Sequence, residues 1–158
     1  MKIEIRQASL KQKEVLEKLL EEYLTELRKT DPRITEYKYL DLYWKEPERI
    51  PLFVFVNNEQ AGFVFVNERT TLPENKGAKA IAEFFIKPEF RNKGIGEEVA
   101  FLVFNKFPGK WEVEVMEKNI IGLKFWEKVI SDYTKGDFKK VILDNESWKG
   151  PVYSFKNE

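Results

Sequence analysis

A single strand–helix–strand unit in the middle of the chain is the feature that most restricts its fold. Ala80 to Ile86 reads as a mostly apolar, central strand, a helix begins near Glu97, and Trp111 to Met116 reads as the next strand. Strands joined through a helix can run parallel, whereas a tight turn makes antiparallel partners. Further strands flank this unit. Ile3 and Ile5 alternate as a first strand, Leu52 to Val56 and Ala61 to Val66 form a hairpin around Asn57-Asn58-Glu59-Gln60, and two last strands lie near Phe138 to Leu143 and Val152 to Phe155. Such a mixed order implies a three-layer α/β or α+β domain rather than a fully parallel sheet.

Three helices complete the pattern. Ser9 suits the N-cap of a helix reaching about Arg28, in which Val15, Leu16, Leu19, Leu20, Tyr23, Leu24 and Leu27 recur at helical spacing as a core stripe. Thr30-Asp31-Pro32 breaks it. The helix after Gly96 turns Ile95, Val99, Leu102, Val103 and Phe107 toward the sheet and stops at Pro108-Gly109; Asn119 to Ile130 is helical in pattern. No Pro/Gly/Ser-rich linker interrupts the 158 residues, so one domain over 1–158 is expected.

Composition removes several kinds of function. With 27 basic and 27 acidic residues, no global field draws the chain to nucleic acid or an anionic membrane. The absence of Cys excludes disulfides and thiolate chemistry, and the absence of His excludes imidazole bases and most transition-metal sites. Met1-Lys2-Ile3-Glu4-Ile5-Arg6 alternates like a strand rather than a signal peptide, and no apolar run is long enough to span a bilayer. A cytoplasmic, metal-free protein is expected, as a monomer or homodimer.

Between the central strand and its helix lies Arg91-Asn92-Lys93-Gly94-Ile95-Gly96. Two glycines let successive N–H groups converge, the following helix adds the positive end of its dipole, and Arg91 and Lys93 supply mobile positive charge: a phosphate cradle. Glycines also serve plain strand-to-helix turns, so the loop alone leaves that reading open. A nucleoside-triphosphate loop requires Lys then Ser or Thr after the last glycine, but Glu97-Glu98 follows Gly96. A dinucleotide fingerprint requires a small residue where Val99 stands. The pattern Arg-x-x-Gly-x-Gly, preceded by Glu83-Phe84-Phe85-Ile86-Lys87-Pro88-Glu89-Phe90, instead resembles the acetyl-CoA loop of the GNAT superfamily of N-acetyltransferases. Asn119, Gly122 and the pair Phe125-Trp126 match a second, helical element of that family.

The resemblance covers nearly the whole chain and implies a central, mixed, mostly antiparallel twisted sheet flanked by helices. It implies acetyl-CoA as co-substrate, with the loop amides of Arg91, Asn92, Lys93, Gly94, Ile95 and Gly96 on the pyrophosphate, and Asn119, Phe125 and Trp126 along the pantetheine arm. It further implies that the first aromatic, Phe125, packs in the core, and that main-chain N–H groups of Phe84, Phe85 and Ile86 serve the developing oxyanion. Many family members carry Tyr as the second aromatic, to protonate the departing thiolate. Trp126 offers only a neutral indole N–H, so this role does not transfer, and a large apolar wall under the cofactor is the expected part. Glu97 and Glu98 suit a helix start and are expected to point away from phosphate.

The acceptor amine must arrive unprotonated, and without His its base should be a carboxylate. Glu83, the charged residue within the central strand, is the candidate, against a solvent-facing or salt-bridged strand position; Glu112 and Glu114 are fallbacks on one face of the next strand. Transfer by proximity without an acid or base is also open. Tyr37, Tyr39, Tyr43 and Trp44 fall where the family builds its acceptor pocket, as pocket wall or as core, and an aromatic wall could hold an ammonium by cation–π attraction. The expected activity is direct acyl transfer from acetyl-CoA to a primary amine on a small molecule or peptide. The alternatives are a coenzyme A-binding regulatory or interaction module of the same fold, and a structural domain with an accidental glycine turn.

Overall fold

The computed structural model describes residues 1–157. The strands are β1 (Ile3–Gln7), β2 (Ile50–Val56), β3 (Glu59–Asn67), β4 (Lys79–Ile86), β5 (Gly109–Glu114), β6 (Lys139–Asp144) and β7 (Lys149–Asn157), and the helices α1 (Lys13–Thr30), α2 (Ile95–Lys106) and α3 (Ile120–Thr134). The sheet has the order β1-β2-β3-β4-β5-β7-β6. β1–β2, β2–β3, β5–β7 and β6–β7 are antiparallel, and the α2 connection makes β4–β5 parallel through Lys79↔Trp111 and Ala80↔Glu112. This is the mixed, mostly antiparallel α/β architecture expected from the element order. Among the described residues no helix is long and apolar enough to cross a membrane.

The chain forms two compact units. The first holds residues 1–66 and 83–95, the second residues 67–82 and those from Gly96 onward, so β4 gives its first four residues to one and its last four to the other.

In the first unit, Ser9 precedes a 3₁₀ turn (Leu10–Gln12) that leads into α1, and Gln12 Oε1 accepts from the Ser9 N–H at 2.9 Å, the reciprocal half of a capping box. α1 buries Leu16, Leu19, Leu20 and Leu24. Val15 lies outside this face and is exposed, because the seven-residue stripe spans a wider arc than one helix can bury. The hairpin turns on Asn57 (φ 49°) and Asn58 (φ 67°), a left-handed pair that asparagine tolerates and that matches the strand twist. The strands lengthen to its very edges. A register shift between Val54↔Gly62 and Phe55↔Gln60 places a bulge at Ala61, whose carbonyl accepts from the Lys87 N–H at 2.8 Å. A Cβ on Gly62 would stand 1.9 Å from the Phe85 carbonyl oxygen, so only glycine permits this approach of β3 to β4.

The core of the second unit is aromatic. Phe104 of α2 meets Trp111 at 5.0 Å and Phe155 at 4.9 Å between ring centres, and all three are buried. α2 buries Ile95, Val99, Ala100, Val103 and Phe104; of the residues expected inside, Leu102 and Phe107 are only half-buried. α3 runs four residues beyond the expected Ile130 and ends on Lys135 in the left-handed conformation, followed by Gly136.

Candidate functional site

In the first unit β4 alternates in the ordinary strand manner, so Glu83 and Phe85 share a face. Tyr23 of α1 reaches both: its ring lies 5.6 Å from that of Phe85, and its hydroxyl donates to Glu83 Oε1 at 3.1 Å. Phe85 and Ile86 are buried and Phe84 is half-buried, which leaves main-chain groups as the chemistry this segment can offer. Glu83 is half-buried and hydrogen-bonded, not a solvent-facing strand residue.

After a 3₁₀ turn at Pro88–Phe90 the chain enters the glycine loop. Asn92 (φ 62°) and Gly94 (φ 79°) are left-handed, the alternation that turns successive amides toward one side. The N–H groups of Asn92, Lys93 and Gly94 have no protein acceptor among the described residues, and all three residues are exposed. An added Cβ at Gly94 would meet open space. The loop thus leaves these backbone donors open to solvent. Lys93 Nζ donates to the Glu89 carbonyl at 3.3 Å.

Arg91 departs from the expectation of mobile charge. Its Nε donates to the Ile86 carbonyl at 2.7 Å, its Nη2 to Glu26 Oε1 and Oε2 at 2.9 and 3.0 Å, and its guanidinium lies 5.7 Å from the Phe85 ring centre. Glu26 neutralises it and the carbonyl orients it. Arg91 is a strut between the end of β4 and α1.

The aromatic segment forms a 3₁₀ turn over Leu40–Trp44. Tyr43 is 3% exposed, its ring 4.5 Å from Phe65, so it belongs to the core. Tyr37 also meets Phe65, at 5.7 Å, and its hydroxyl lies 3.3 Å from that of Tyr43. Tyr39 is exposed and packs edge-on to Tyr37. The cation position is already filled: the buried Arg49 guanidinium lies 5.7 Å from the Tyr39 ring centre and 5.6 Å from that of Tyr43, and its Nε donates to Glu46 at 2.6 Å. Trp44 donates its indole N–H to the Ala8 carbonyl at 3.0 Å. Burial pushes both Tyr37 and Tyr43 above the ordinary phenol range, and the Glu83 charge pushes the same way. By contact there are two hydrogen-bonded pairs, Tyr23 with Glu83 and Tyr37 with Tyr43. Tyr23 was hidden within an apolar helical stripe, 60 residues from its partner, and no local signal marks it.

In the second unit Gly96 lies in the first turn of α2, where Glu97 pairs with Lys128 at 3.2 Å and Glu98 is exposed. Asn119 is the N-cap of α3: its Oδ1 accepts from the Gly122 N–H at 2.9 Å, and a Cβ on Gly122 would collide with the Asn119 amide at 2.3 Å. The pairing of Asn with a small residue three positions on follows from this cap. The aromatic pair is reversed from expectation, with Trp126 8% exposed and Phe125 half-buried. Trp126, Val129 and Ile130 recur at i, i+3 and i+4 and form the buried face of α3; Phe125 stands about 100° away around the helix.

Glu112 is 1% exposed and accepts from the Thr71 N–H at 2.5 Å, the Leu72 N–H at 3.1 Å and Asn75 Nδ2 at 2.7 Å, while Asn75 Nδ2 also reaches Ser154 Oγ at 2.8 Å. This carboxylate is a clasp for the loop between β3 and β4, its lone pairs consumed by donors. Glu114 accepts from the Thr71 hydroxyl, and burial pushes its carboxyl above the usual range. Both fallback bases are engaged in holding this loop. Among the described residues no group of three or more acidic side chains is arranged to hold a metal ion.

Solved structures share this fold over nearly the whole chain. An acetyltransferase from Thermus thermophilus superposes with a TM-score of 0.70 at 12% identity, covering 99% of this chain and 97% of its own. The ribosomal L7/L12 alpha-N-protein acetyltransferase RimL, in complex with coenzyme A, gives 0.66 at 15% identity, covering 98% and 94%. The aminoglycoside acetyltransferase AAC(6')-Ib, also with coenzyme A, gives 0.68 at 14%, covering 98% and 95%. No curated protein matches the chain. The family model described as acetyltransferase (GNAT) family matches residues 14–130, which include α1, the central strand, the glycine loop and most of α3, and the chain therefore belongs to the GNAT family of acetyltransferases.

Proposed function

We propose that this chain is an N-acetyltransferase that moves an acetyl group from acetyl-CoA directly to a primary amine. The observation that carries the donor half is the loop of outward amides at Asn92, Lys93 and Gly94, which suits the coenzyme A pyrophosphate, with Ile95 and Gly96 continuing the chain and Arg91 holding the loop's entry in place. Coenzyme A-bound relatives of the same fold support it. When bound, acetyl-CoA supplies an activated thioester.

The chain's own residues do the rest. A main-chain N–H of the Phe84–Ile86 segment would face the oxygen on which charge develops, the segment being fixed by the Gly62 contact and the Arg91 strut. Glu83 takes the proton that the acceptor ammonium must shed. Tyr39 and Tyr37 would border the acceptor side with Tyr43 in the core behind them, and Arg49 occupies the Tyr39 and Tyr43 faces, so the acceptor's positive charge is read by Glu83 and not by a cation–π box. Relatives named for an aminoglycoside and for a protein N-terminus support an amine acceptor.

The test is thermal. Acetyl-CoA at 100-fold its Kd should stabilise the protein by about 2.7 kcal/mol and raise its melting temperature, and Gly96→Arg should remove the shift. No shift at about 1 mM acetyl-CoA overturns the donor assignment. Thiol release should then be faster with primary amines than with the matching alcohols; equal rates overturn the amine assignment.

A further inference from the structure

Glu83 is the one proposed reacting side chain of the first unit, and its immediate surroundings are specific. On α1, Tyr23 donates to Oε1 at 3.1 Å. The Tyr23 ring is fixed on two sides, edge-on to Phe63 at 5.5 Å and tilted against Phe85 at 5.6 Å. These ring contacts restrain the phenol that presents the hydroxyl. One helical turn further, Glu26 holds Arg91. From the aromatic segment, Tyr37 and Tyr43 feel the Glu83 charge, and Arg49 sits on the ring faces of Tyr39 and Tyr43.

Burial, with the Glu83 charge added, keeps the Tyr23 phenol well above its ordinary pKa. It therefore stays a neutral O–H wherever a carboxylate titrates, and toward the ionised Glu83 carboxylate it can only donate. A donor aimed at a carboxylate favours the ionised form and fixes which oxygen is engaged.

We infer that Tyr23 is a positioning residue for Glu83: its hydroxyl holds Oε1, keeping the carboxylate in one orientation and in its proton-accepting form toward the acceptor amine. The step served is balanced. A proton leaves the acceptor's R–NH₃⁺ and joins the Glu83 carboxylate, giving R–NH₂ with its lone pair available and a neutral carboxyl; the Tyr23 proton stays on its phenol. This inference rests on the reading of Glu83 as base.

Tyr23→Phe keeps the ring and deletes only the hydroxyl, so the aromatic packing is retained. The Glu83 side-chain carboxyl is followed by ¹³C NMR in glutamate-labelled protein, its signal identified by its loss in Glu83→Gln. In Tyr23→Phe the Glu83 titration should move up by about one pH unit, the effect of one lost hydrogen bond to the charged form. An unchanged titration, within about 0.2 pH units, overturns the inference. A downward move does the same. The acetyl-CoA melting shift, measured on the same samples, separates the two readings. A shift present with an unmoved Glu83 titration refutes the Tyr23 role alone, whereas an absent shift refutes the acetyl-CoA reading while the carboxyl titration still decides whether Tyr23 holds Glu83.

Discussion

Gly62 offers the sharpest test of how the sheet positions the segment between Glu83 and Ile86. A methyl group at this position would sit 1.9 Å from the Phe85 carbonyl oxygen, 2.9 Å from its carbon and 3.1 Å from the Ile86 Cα, roughly an ångström inside any real Cβ contact. All three neighbours are main chain, so no side chain can rotate aside; β4 itself must withdraw. Phe85 cannot yield freely, since its ring is packed against Phe63 and Tyr23 and the Lys87 N–H is tied to the Ala61 carbonyl next to Gly62. Overpacking a rigid site costs about 1–3 kcal/mol, and a backbone obstacle belongs at the upper end. About 3 kcal/mol corresponds to a fall in melting temperature of roughly 6–12 °C for a chain of this size. Gly62→Ala should therefore melt that much lower by circular dichroism. A displacement of about 1 Å in the Phe84–Ile86 amides should also slow acetyl transfer about 10²-fold, with acetyl-CoA affinity kept because the 92–94 loop is untouched. A Gly62→Ala protein melting within about 2 °C of wild type would show that β4 has slack and that the close approach constrains nothing.

Glu112→Gln should cost about 3 kcal/mol in urea denaturation, because an amide cannot accept from all three donors that converge on the carboxylate; wild-type stability would mean that the clasp is dispensable. Glu114 predicts a pH effect of definite sign. Burial is the main cause of its raised folded pKa, so between the reference value of 4.5 and that raised value the folded state binds the proton more tightly than the unfolded chain. Its contribution to stability therefore falls as pH rises through this window, and Glu114→Gln should flatten that part of the urea-midpoint profile; an identical profile in the variant refutes the assignment. Asn119→Ala should cost about 1 kcal/mol and speed hydrogen exchange at the Gly122 amide, and unchanged exchange would deny the cap.

Much of the architecture was legible locally. The crossover unit, the Asn57-Asn58 turn and the Asn119 start of α3 all rest on interactions within a few residues, where spacing and turn chemistry govern. Trp126 and Phe125 were legible too, but were misassigned. The run Trp126, Val129, Ile130 has the i, i+3, i+4 spacing of a buried face, and Phe125, about 100° from Trp126 around the helix, falls outside that run. The site was less accessible. That Arg91 is consumed by Glu26 depends on a residue 65 positions away, and that Glu112 closes a loop depends on Asn75, 37 positions away.

The sequence by itself determined the order and kind of the elements, the crossover, the glycine loop before α2 and the family, because each is written in patterns a few residues to one element long. Only the tertiary structure decided which charges remain available. Arg91 and Arg49 are spent on carboxylates, Glu112 on backbone donors, and Glu83 is bound by Tyr23. The physical reason is that an ionisable side chain takes its role from whatever partner the fold brings within about 3 Å, and periodicity carries no information about a partner dozens of residues away.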